Sequence, residues 1–88
     1  MRVLQTNQFK KSYKKLFQNQ LHEANDAINE IITNPDIGEK KRGDLSWLKV
    51  HKFKMAGQLT LIGYTFESDV LTFIAIGPHE NFYRDIKR

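Results

Sequence analysis

Residues 48–76, LKVHKFKMAGQLTLIGYTFESDVLTFIAI, decide the fold because they contain three β-strand candidates separated by two short turns. The predicted strands are Leu48–Met55, Leu59–Phe66 and Val70–Ile76, and the turns lie at Ala56-Gly57 and Glu67-Ser68-Asp69. Strands joined by such short turns pair as antiparallel neighbours, so the segment predicts a three-stranded meander. The last strand is apolar at every position except Thr72, which is typical of a central strand.

The residues before the meander predict a short strand at positions 2–6 and then two amphipathic helices. Thr6 or Asn7 can cap the first helix, because either side-chain oxygen accepts a hydrogen bond from a free backbone N–H group. The second helix is predicted from Leu21 to Thr33, with a joint near Asn19-Gln20 and a stop at Asn34-Pro35. Apolar residues recur at helical spacing, first at Phe9, Tyr13, Leu16 and Phe17 and then at Leu21, Ala24, Ile28, Ile31 and Ile32.

Residues 35–47 contain proline, two glycines and the basic cluster Lys40-Lys41-Arg42, and they predict a long surface loop. The predicted order is therefore β-α-α-β-β-β with a short C-terminal tail, in a single domain that spans residues 1–88. Helices that precede a consecutive antiparallel sheet make the fold class α+β. We expect the helical hairpin to cover one face of the sheet and the other face to be open.

The composition excludes several kinds of chemistry. The 88 residues include no cysteine, which removes disulfides, thiolate catalysis and cysteine-based zinc sites and fits a reducing cytoplasm. No segment resembles a signal peptide, and no apolar run has the length of a membrane span. The net charge of +4 favours an anionic partner, and nucleic acid, an acidic protein and a membrane surface all fit that charge.

The stretch WLKVHKFKM, residues 47–55, does not alternate regularly between apolar and polar side chains. Leu48 and Val50 lie at even positions, whereas Phe53 and Met55 lie at odd positions, which predicts a phase slip or bulge near His51-Lys52. If Phe53 and Met55 face the core, then Lys52 and Lys54 lie side by side on the exposed face of the sheet. Lysines on a short edge strand also prevent aggregation, so the pair does not identify a site by itself.

The last twelve residues, GPHENFYRDIKR, place titratable and aromatic side chains where the final strand ends. Gly77-Pro78 is expected to end that strand, because a central strand cannot continue through proline. His79 then lies at the strand exit, and Tyr83 and Arg84 lie one helical turn beyond it. A single histidine here fits a structural role as well as a catalytic one.

Taken together, these residue types suit the metal-free cleavage of RNA. The 2′-hydroxyl attacks the adjacent phosphate, so an enzyme must accept a proton from it, donate one to the 5′-oxygen and stabilise the developing charge. Histidine titrates near neutrality, lysines stabilise the phosphorane, and tyrosine stacks on a splayed base. The acidic residues lack the spacing of a carboxylate metal site, so we expect neither a metal nor a cofactor.

The sequence resembles the RelE/ParE superfamily of toxins from bacterial type II toxin–antitoxin pairs, and most closely the RelE-like branch. The similarity covers essentially the whole chain through the two N-terminal helices, the block GDLSWLKVHKFKMAGQLTLIGYTF and the ending IGPHENFY. It implies a small antiparallel sheet backed by helices, as in compact microbial ribonucleases. It also implies the cleavage of mRNA on the ribosome and an acidic antitoxin that wraps the toxin.

By position, the resemblance also implies a set of site residues. Lys52 and Lys54 match the paired basic residues of the first meander strand, His79 matches the general acid, and Tyr83 matches the aromatic residue near the scissile nucleotide. Many RelE-like ribonucleases carry an arginine early in the second meander strand, where this chain has GQLTLIG, and His51 is the predicted substitute. The cations predicted to bind RNA are Lys40, Lys41, Arg42, Lys49, Arg84 and Lys87.

Three functions fit these residues. The first is the endoribonuclease toxin, in which Lys54, His51 or Glu80 accepts the proton. The second is a ParE-like inhibitor of DNA gyrase without ribonuclease activity, which the missing arginine favours. The third is a non-catalytic basic module, which explains the charge but not the pairing of His79 with Tyr83. In the toxin interpretations, the acidic antitoxin binds the lysine-rich first helix and the open face, as a helix in a groove or as an added strand.

Overall fold

A computed structural model describes residues 1–86 as a five-stranded sheet with three α-helices. The elements are β1 (Arg2–Gln5), α1 (Asn7–Lys14), α2 (Gln18–Thr33), β2 (Glu39–Lys40), β3 (Lys49–Met55), β4 (Gln58–Glu67), β5 (Val70–Pro78) and α3 (His79–Ile86), with a 3₁₀ turn at Gly43–Leu45. The strand order is β1-β5-β4-β3-β2; β1 runs parallel to β5, and the other pairs are antiparallel. The α+β class and the predicted meander are both confirmed.

The helical hairpin forms as predicted, with two local differences. Thr6 caps α1, because its hydroxyl accepts a hydrogen bond from the N–H of Phe9 at 3.1 Å. Helix α2 begins at Gln18 rather than Leu21, since the Gln20 side chain accepts a hydrogen bond from the Phe17 N–H at 2.7 Å. Phe17, the last of the apolar residues that recur at helical spacing in the first predicted helix, lies in the connection between the helices and is 73% exposed.

Apolar side chains are buried on both faces of the sheet, and this explains the irregular pattern of β3. Beneath α1 and α2, on what we call the hairpin face, the core contains Phe9, Ala24, Ala27, Ile31, Met55, Ile62, Tyr64, Leu71, Phe73 and Ile76. On the opposite face, which we call the α3 face, a second cluster contains Leu48, Val50, Leu61, Ala75 and Phe82. The prediction of a phase slip near His51-Lys52 was therefore wrong: β3 pairs with β4 in continuous register from Lys49 to Met55. The irregularity of the sheet lies instead in the pairing of β4 with β5, at Gly63/Tyr64.

The C-terminal tail is a helix, and the face that we expected to be open is partly covered by it. Strand β5 continues through Gly77 and Pro78, two residues beyond the predicted end. Proline is tolerated there because β1 pairs with β5 only as far as Phe73. Helix α3 then folds back onto the sheet over Gly63, where a Cβ atom would come within 2.8 Å of the Phe82 ring. The remaining uncovered part of this face carries Lys52 and Lys54.

A buried tyrosine fixes the loop between α2 and β3. The Tyr64 hydroxyl donates a hydrogen bond to the carbonyl of Pro35 at 2.7 Å and accepts one from the N–H of Gly38 at 2.8 Å. Burial raises the pKa of this hydroxyl, because the charged phenolate is disfavoured away from water. The anchored loop continues into β2, a two-residue strand that the sequence did not predict and that pairs with Lys49 and Val50.

Candidate active site on the α3 face

Lys52 and Lys54 lie on the α3 face and are exposed, as predicted from their alternation with Phe53 and Met55. Lys52 is paired with Leu61, which in turn pairs with Gly77, so the three residues form one row across the sheet. Two inter-strand spacings place the Cα atoms of Lys52 and Gly77 about 10 Å apart. The two lysines therefore lie on the same part of the sheet as the exit of β5, where His79 follows.

Helix α3, where the sequence predicted only a short C-terminal tail, brings His79 and Tyr83 together. His79 is the first residue of α3 and is exposed, and Tyr83 lies one turn later on the same side of the helix. Their ring centroids are 6.4 Å apart in an edge-to-face arrangement. Tyr83 is partly buried and also packs edge-to-face on Phe82, with centroids 5.2 Å apart. The core therefore holds Tyr83 in place, while His79 remains accessible to solvent.

Lys41 belongs to this group, although the sequence suggested only a general role in RNA binding. Its Nζ atom lies 5.4 Å from the centroid of the Tyr83 ring and 2.8 Å from Oε1 of Glu39. The hydrogen bond to Glu39, and then the neighbouring Tyr83 hydroxyl, raises the pKa of Lys41. The same hydrogen bond lowers the pKa of Glu39, and the charges of Lys41 and Lys52 lower it further. Lys41 is therefore a fully charged cation beside Tyr83.

Glu39 was missed by the sequence analysis, although a signal for it exists. Glu39 pairs with Val50 across the β2–β3 ladder, and directly opposed residues share a face of the sheet. Val50 belongs to the cluster beneath α3, so Glu39 and the residue two positions on, Lys41, both project towards that face. The alternation in EKK would have suggested this arrangement had the short strand β2 been recognised.

The structure does not bring His51 together with the other predicted catalytic residues. His51 alternates with Lys52 and therefore projects from the hairpin face. Its side chain is 12% exposed, its Nε2 atom lies 3.3 Å from Oε1 of Glu30, and its ring stacks near Phe53 at 6.2 Å. On the α3 face, the position that a cation would take early in β4 is held by Leu59, which is 40% exposed and paired with Lys54.

The other predicted RNA-binding residues are divided between the two faces and the edge of the sheet. Lys40 and Lys49 pair with each other on the hairpin side of the β2–β3 edge, and Lys49 lies 3.5 Å from the carboxylate of Asp36. Arg42 is exposed just before the 3₁₀ turn, and Arg84 donates a hydrogen bond to the side-chain oxygen of Asn81 at 2.8 Å. The predicted residue Lys87 lies outside the described part of the chain.

The α3 face therefore combines an imidazole, a phenol and three amino groups on a solvent-accessible surface. Ammonium groups can bind the oxygens of a phosphate, and an exposed imidazole can transfer a proton near neutral pH. Within residues 1–86, no cluster of three or more His, Asp or Glu side chains has the arrangement of a metal site. In the same residues, no helix is long and apolar enough to cross a membrane.

Comparisons with known proteins identify a family that matches nearly the whole chain. The family described as "ParE-like toxin of type II bacterial toxin-antitoxin system" matches residues 3–87. No curated protein sequence matches the chain at a significant level. The structure is similar to the toxin in the intact RelBE toxin–antitoxin complex of Escherichia coli, with a TM-score of 0.70 and 16% identity over 88% of this chain and 94% of that chain.

Two further solved structures have the same fold. The YoeB/ParE toxin of Agrobacterium tumefaciens gives a TM-score of 0.72 with 17% identity, over 90% of this chain and 99% of that chain. A conserved protein of Helicobacter pylori gives a TM-score of 0.62 with 18% identity, over 91% of this chain and 96% of that chain. At these levels of identity, the structural similarity establishes the fold alone.

Proposed function

We propose that this chain, which belongs to the ParE-like toxin family of type II bacterial toxin–antitoxin systems, is a metal-free endoribonuclease. It would cleave mRNA on the ribosome in the bacterial cytoplasm. The resemblance to the RelE/ParE superfamily inferred from the sequence is confirmed by this match and by the shared fold. The observation that carries the ribonuclease proposal is that His79 and Lys41 both lie beside the Tyr83 ring on the α3 face. A gyrase-binding surface has no need of a titratable group aligned in this way.

The proposed reaction uses the residues of this face in separate roles. The 2′-oxygen forms a bond to the adjacent phosphorus while the bond from phosphorus to the 5′-oxygen breaks, and His79 donates the proton that the 5′-oxygen takes up. Lys52 and Lys41 stabilise the negative charge on the phosphorane oxygens, and Tyr83 stacks on the nucleobase next to the scissile phosphate. The products are a 2′,3′-cyclic phosphate and a 5′-hydroxyl.

We propose that the proton acceptor for the 2′-hydroxyl is a residue of the α3 face. His51, one of the three residues considered from the sequence, projects from the opposite face of the sheet. Lys54 and Glu80 remain as candidates, because both are exposed at the end of the sheet where α3 begins. The variants Lys54→Ala and Glu80→Gln separate them, since only loss of the true acceptor removes the acidic limb of the pH–rate profile.

Gyrase inhibition without RNA cleavage is the second candidate function. The observation that favours it is an apolar residue, Leu59, at the position in β4 where a cation is expected. RelE-like ribonucleases were expected to carry a cation early in β4, and Leu59 occupies that part of the α3 face. The ribonuclease proposal requires Lys41, which enters the face from the neighbouring loop, to supply the charge that β4 does not supply. The Lys41→Ala variant is therefore expected to lose RNA cleavage.

The proposed partner is an acidic antitoxin segment with an apolar stripe. A cavity of about 330 Å³ lies between β1, α1 and α2, and its apolar lining includes Val3 and Leu4, which are 45% and 41% exposed. Exposed lysines of α1, including Lys10 and Lys14, follow the lining residues Phe9 and Tyr13 along the helix. One structural relative was solved as a toxin–antitoxin complex, which supports a partner of this kind.

The partner proposal can be tested by co-purifying the chain with an acidic protein encoded beside its gene. We expect Leu4→Asp to weaken the complex strongly, because it places a carboxylate in the apolar cavity opposite acidic residues. Ile37→Asp is the matched control: Ile37 is 40% exposed and lies beside β2, at the other edge of the sheet from β1. Equal binding by wild type and Leu4→Asp would place the antitoxin elsewhere on the molecule.

Induced expression tests the ribonuclease proposal in cells, with growth and mRNA integrity followed together. Wild type is expected to arrest growth and fragment mRNA within minutes, and His79→Ala is expected to do neither. His22→Ala is the matched control, because His22 is an exposed histidine of α2 that pairs with Asp26 away from the α3 face. Growth arrest with intact mRNA and damaged DNA would contradict the proposal and favour gyrase as the target.

A further inference from the structure

Trp47, the only tryptophan of the chain, is an exposed aromatic residue that the proposed reaction does not use. It lies between the 3₁₀ turn and β3, and 51% of its surface is accessible to solvent. Its indole N–H donates a hydrogen bond to the backbone carbonyl of Asp44 at 3.1 Å. The hydrogen bond restricts the orientation of the ring, so a large flat π surface is presented to solvent in a fixed position.

The surroundings of Trp47 combine charged, polar and apolar side chains. A cavity of about 180 Å³ beside the ring is lined by Lys40, Ser46, Trp47, Leu48, Lys49, Phe66 and Glu67. Lys49 also approaches Asp36, whereas Lys40 has no ion-pair partner among residues 1–86. An aromatic plane, a free cation and a carboxylate acceptor therefore adjoin the same small cavity.

This combination matches the chemistry of one nucleotide in single-stranded RNA. Bases stack on aromatic side chains, cations bind the phosphate backbone, and a glutamate accepts hydrogen bonds from an exocyclic amino group of a base. A docked protein helix would instead require a long, continuous apolar groove, and this cavity of about 180 Å³, which is lined by charged as well as apolar residues, does not provide one. The observations therefore favour RNA over protein as the ligand.

The position of the cavity relative to the α3 face fits an RNA strand that passes over the edge of the sheet. Lys40 lies on the cavity side of the short edge strand β2, while its neighbour Lys41 reaches Tyr83 on the other side. Along β3, Lys49 in the cavity and Lys52 on the α3 face are three residues apart, or about 10 Å. A strand crossing this thin edge can contact both places with neighbouring nucleotides.

We propose that Trp47, Lys40 and Glu67 form a nucleobase-binding subsite that holds mRNA a few nucleotides from the cleaved phosphate. The proposal rests on the proposed function, since it identifies a second contact with the same RNA substrate. Trp47 stacks on the base, Lys40 binds its phosphate, and Glu67 accepts a hydrogen bond from the exocyclic amino group. Adenine, cytosine and guanine carry such a group and uracil does not, so the subsite disfavours uracil.

The test uses the full chain and fully 2′-O-methylated oligonucleotides, which bind but cannot be cleaved because the attacking hydroxyl is blocked. Since Trp47 is the only tryptophan, stacking is read directly as quenching of the intrinsic tryptophan fluorescence. We expect saturable quenching by oligo(A) and oligo(C), and weaker binding and quenching by oligo(U). In Glu67→Ala, the difference between oligo(A) and oligo(U) is expected to disappear.

Variants of Trp47 are measured by the fluorescence anisotropy of dye-labelled oligo(A). Trp47→Ala is expected to weaken binding about tenfold to a hundredfold, the range that the loss of one stacked base produces, and Trp47→Phe to retain most of the affinity. Phe17→Ala is the matched control, because Phe17 is a more exposed aromatic residue outside the edge crossed by the RNA, and it should leave binding unchanged.

The outcomes separate this proposal from the proposed function. Oligonucleotide binding without quenching, and with unchanged affinity in Trp47→Ala, would refute the subsite even if the chain cleaves RNA. Quenching by an acidic partner protein but not by RNA would also refute it and identify Trp47 as a protein contact. Quenching by oligo(A) in a chain that proves unable to cleave RNA would support the subsite while the ribonuclease proposal fails.

Discussion

Replacing Tyr64 by phenylalanine tests how the loop that carries Glu39 and Lys41 is held in place. The Tyr64 side chain is fully buried, and its hydroxyl connects the carbonyl of Pro35 with the N–H of Gly38. Phenylalanine fills the same apolar space, so the substitution removes the two hydrogen bonds and little else. The loop loses its connection to the core just before β2 begins.

The expected cost follows from those two hydrogen bonds. Each contributes about 1 kcal/mol net, and a partner left without a hydrogen bond in a partly buried place loses more, so we expect a total of about 2 kcal/mol. For a domain of this size, that corresponds to a fall in Tm of about 8–16 °C. Tyr13→Phe is the matched control: its hydroxyl donates to the side chain of Asn25 at 2.7 Å in an exposed place. Its removal should change stability by less than about 0.5 kcal/mol.

The assay is urea-induced unfolding of both variants and wild type, combined with hydrogen exchange at the Gly38 amide. Tyr64→Phe should show a lower unfolding midpoint with an unchanged slope, and faster exchange at Gly38. RNA cleavage should fall as well, because Lys41 is positioned by this loop. A Tyr64→Phe protein as stable as Tyr13→Phe would refute the reasoning, since the hydroxyl would then not be holding the loop.

Three further predictions concern the packing, the capping and the pH dependence of the fold. Gly63→Ala should destabilise the protein by about 1–3 kcal/mol and loosen α3, because its Cβ atom would lie 2.8 Å from the Phe82 ring. Thermal unfolding measures this change, and the control is Gly77→Ala, whose Cβ atom would meet nothing within 4 Å. Thr6→Ala should cost about 1–2 kcal/mol in urea unfolding, because the hydroxyl both caps α1 and donates to a β5 carbonyl at 2.7 Å. Burial raises the pKa of Tyr64, so its contribution to stability is complete below about pH 10 and is lost as the pH rises towards the folded-state pKa. The urea midpoint of wild type should therefore fall with rising pH in this alkaline range, and this fall should be absent in Tyr64→Phe.

The fold could be predicted from the sequence where local patterns decide the structure. The helix cap at Thr6, the stop at Asn34-Pro35 and the two turns of the meander each depend on a few adjacent residues, and they are observed. The error in β3 arose from assuming that only one face of the sheet is buried. Its apolar residues change parity because α2 covers one half of the strand and α3 the other.

The candidate site was only partly predictable because it depends on α3. The spacing of Phe82, Tyr83 and Ile86 is that of a helix with one apolar face, and this signal could have identified α3 in the sequence. The approach of Lys41 to Tyr83 has no local signal, since it joins residues 42 positions apart through a loop anchored by Tyr64. Long-range contacts of this kind follow from the packing of the whole chain.

The family match and the fold establish the class of toxin, and the residues of the α3 face bear on its target. The ParE-like match identifies a toxin of a type II toxin–antitoxin system, and the fold is shared with RelE and YoeB/ParE toxins. The distinction between ribonuclease and gyrase inhibitor depends on what His79, Tyr83 and Lys41 do.

The most direct test of the ribonuclease proposal is an in vitro cleavage assay with purified chain, end-labelled mRNA and ribosomes, run beside a gyrase supercoiling assay. Because ribosomes need magnesium for their integrity, the test with EDTA is a separate arm that contains free mRNA and no ribosomes. The proposal predicts fragments ending in 2′,3′-cyclic phosphate and 5′-hydroxyl groups, produced by wild type and His22→Ala and absent with His79→Ala, while gyrase stays active. Intact mRNA together with inhibited gyrase would contradict the proposal, and His79 would then have only a structural role at the start of α3.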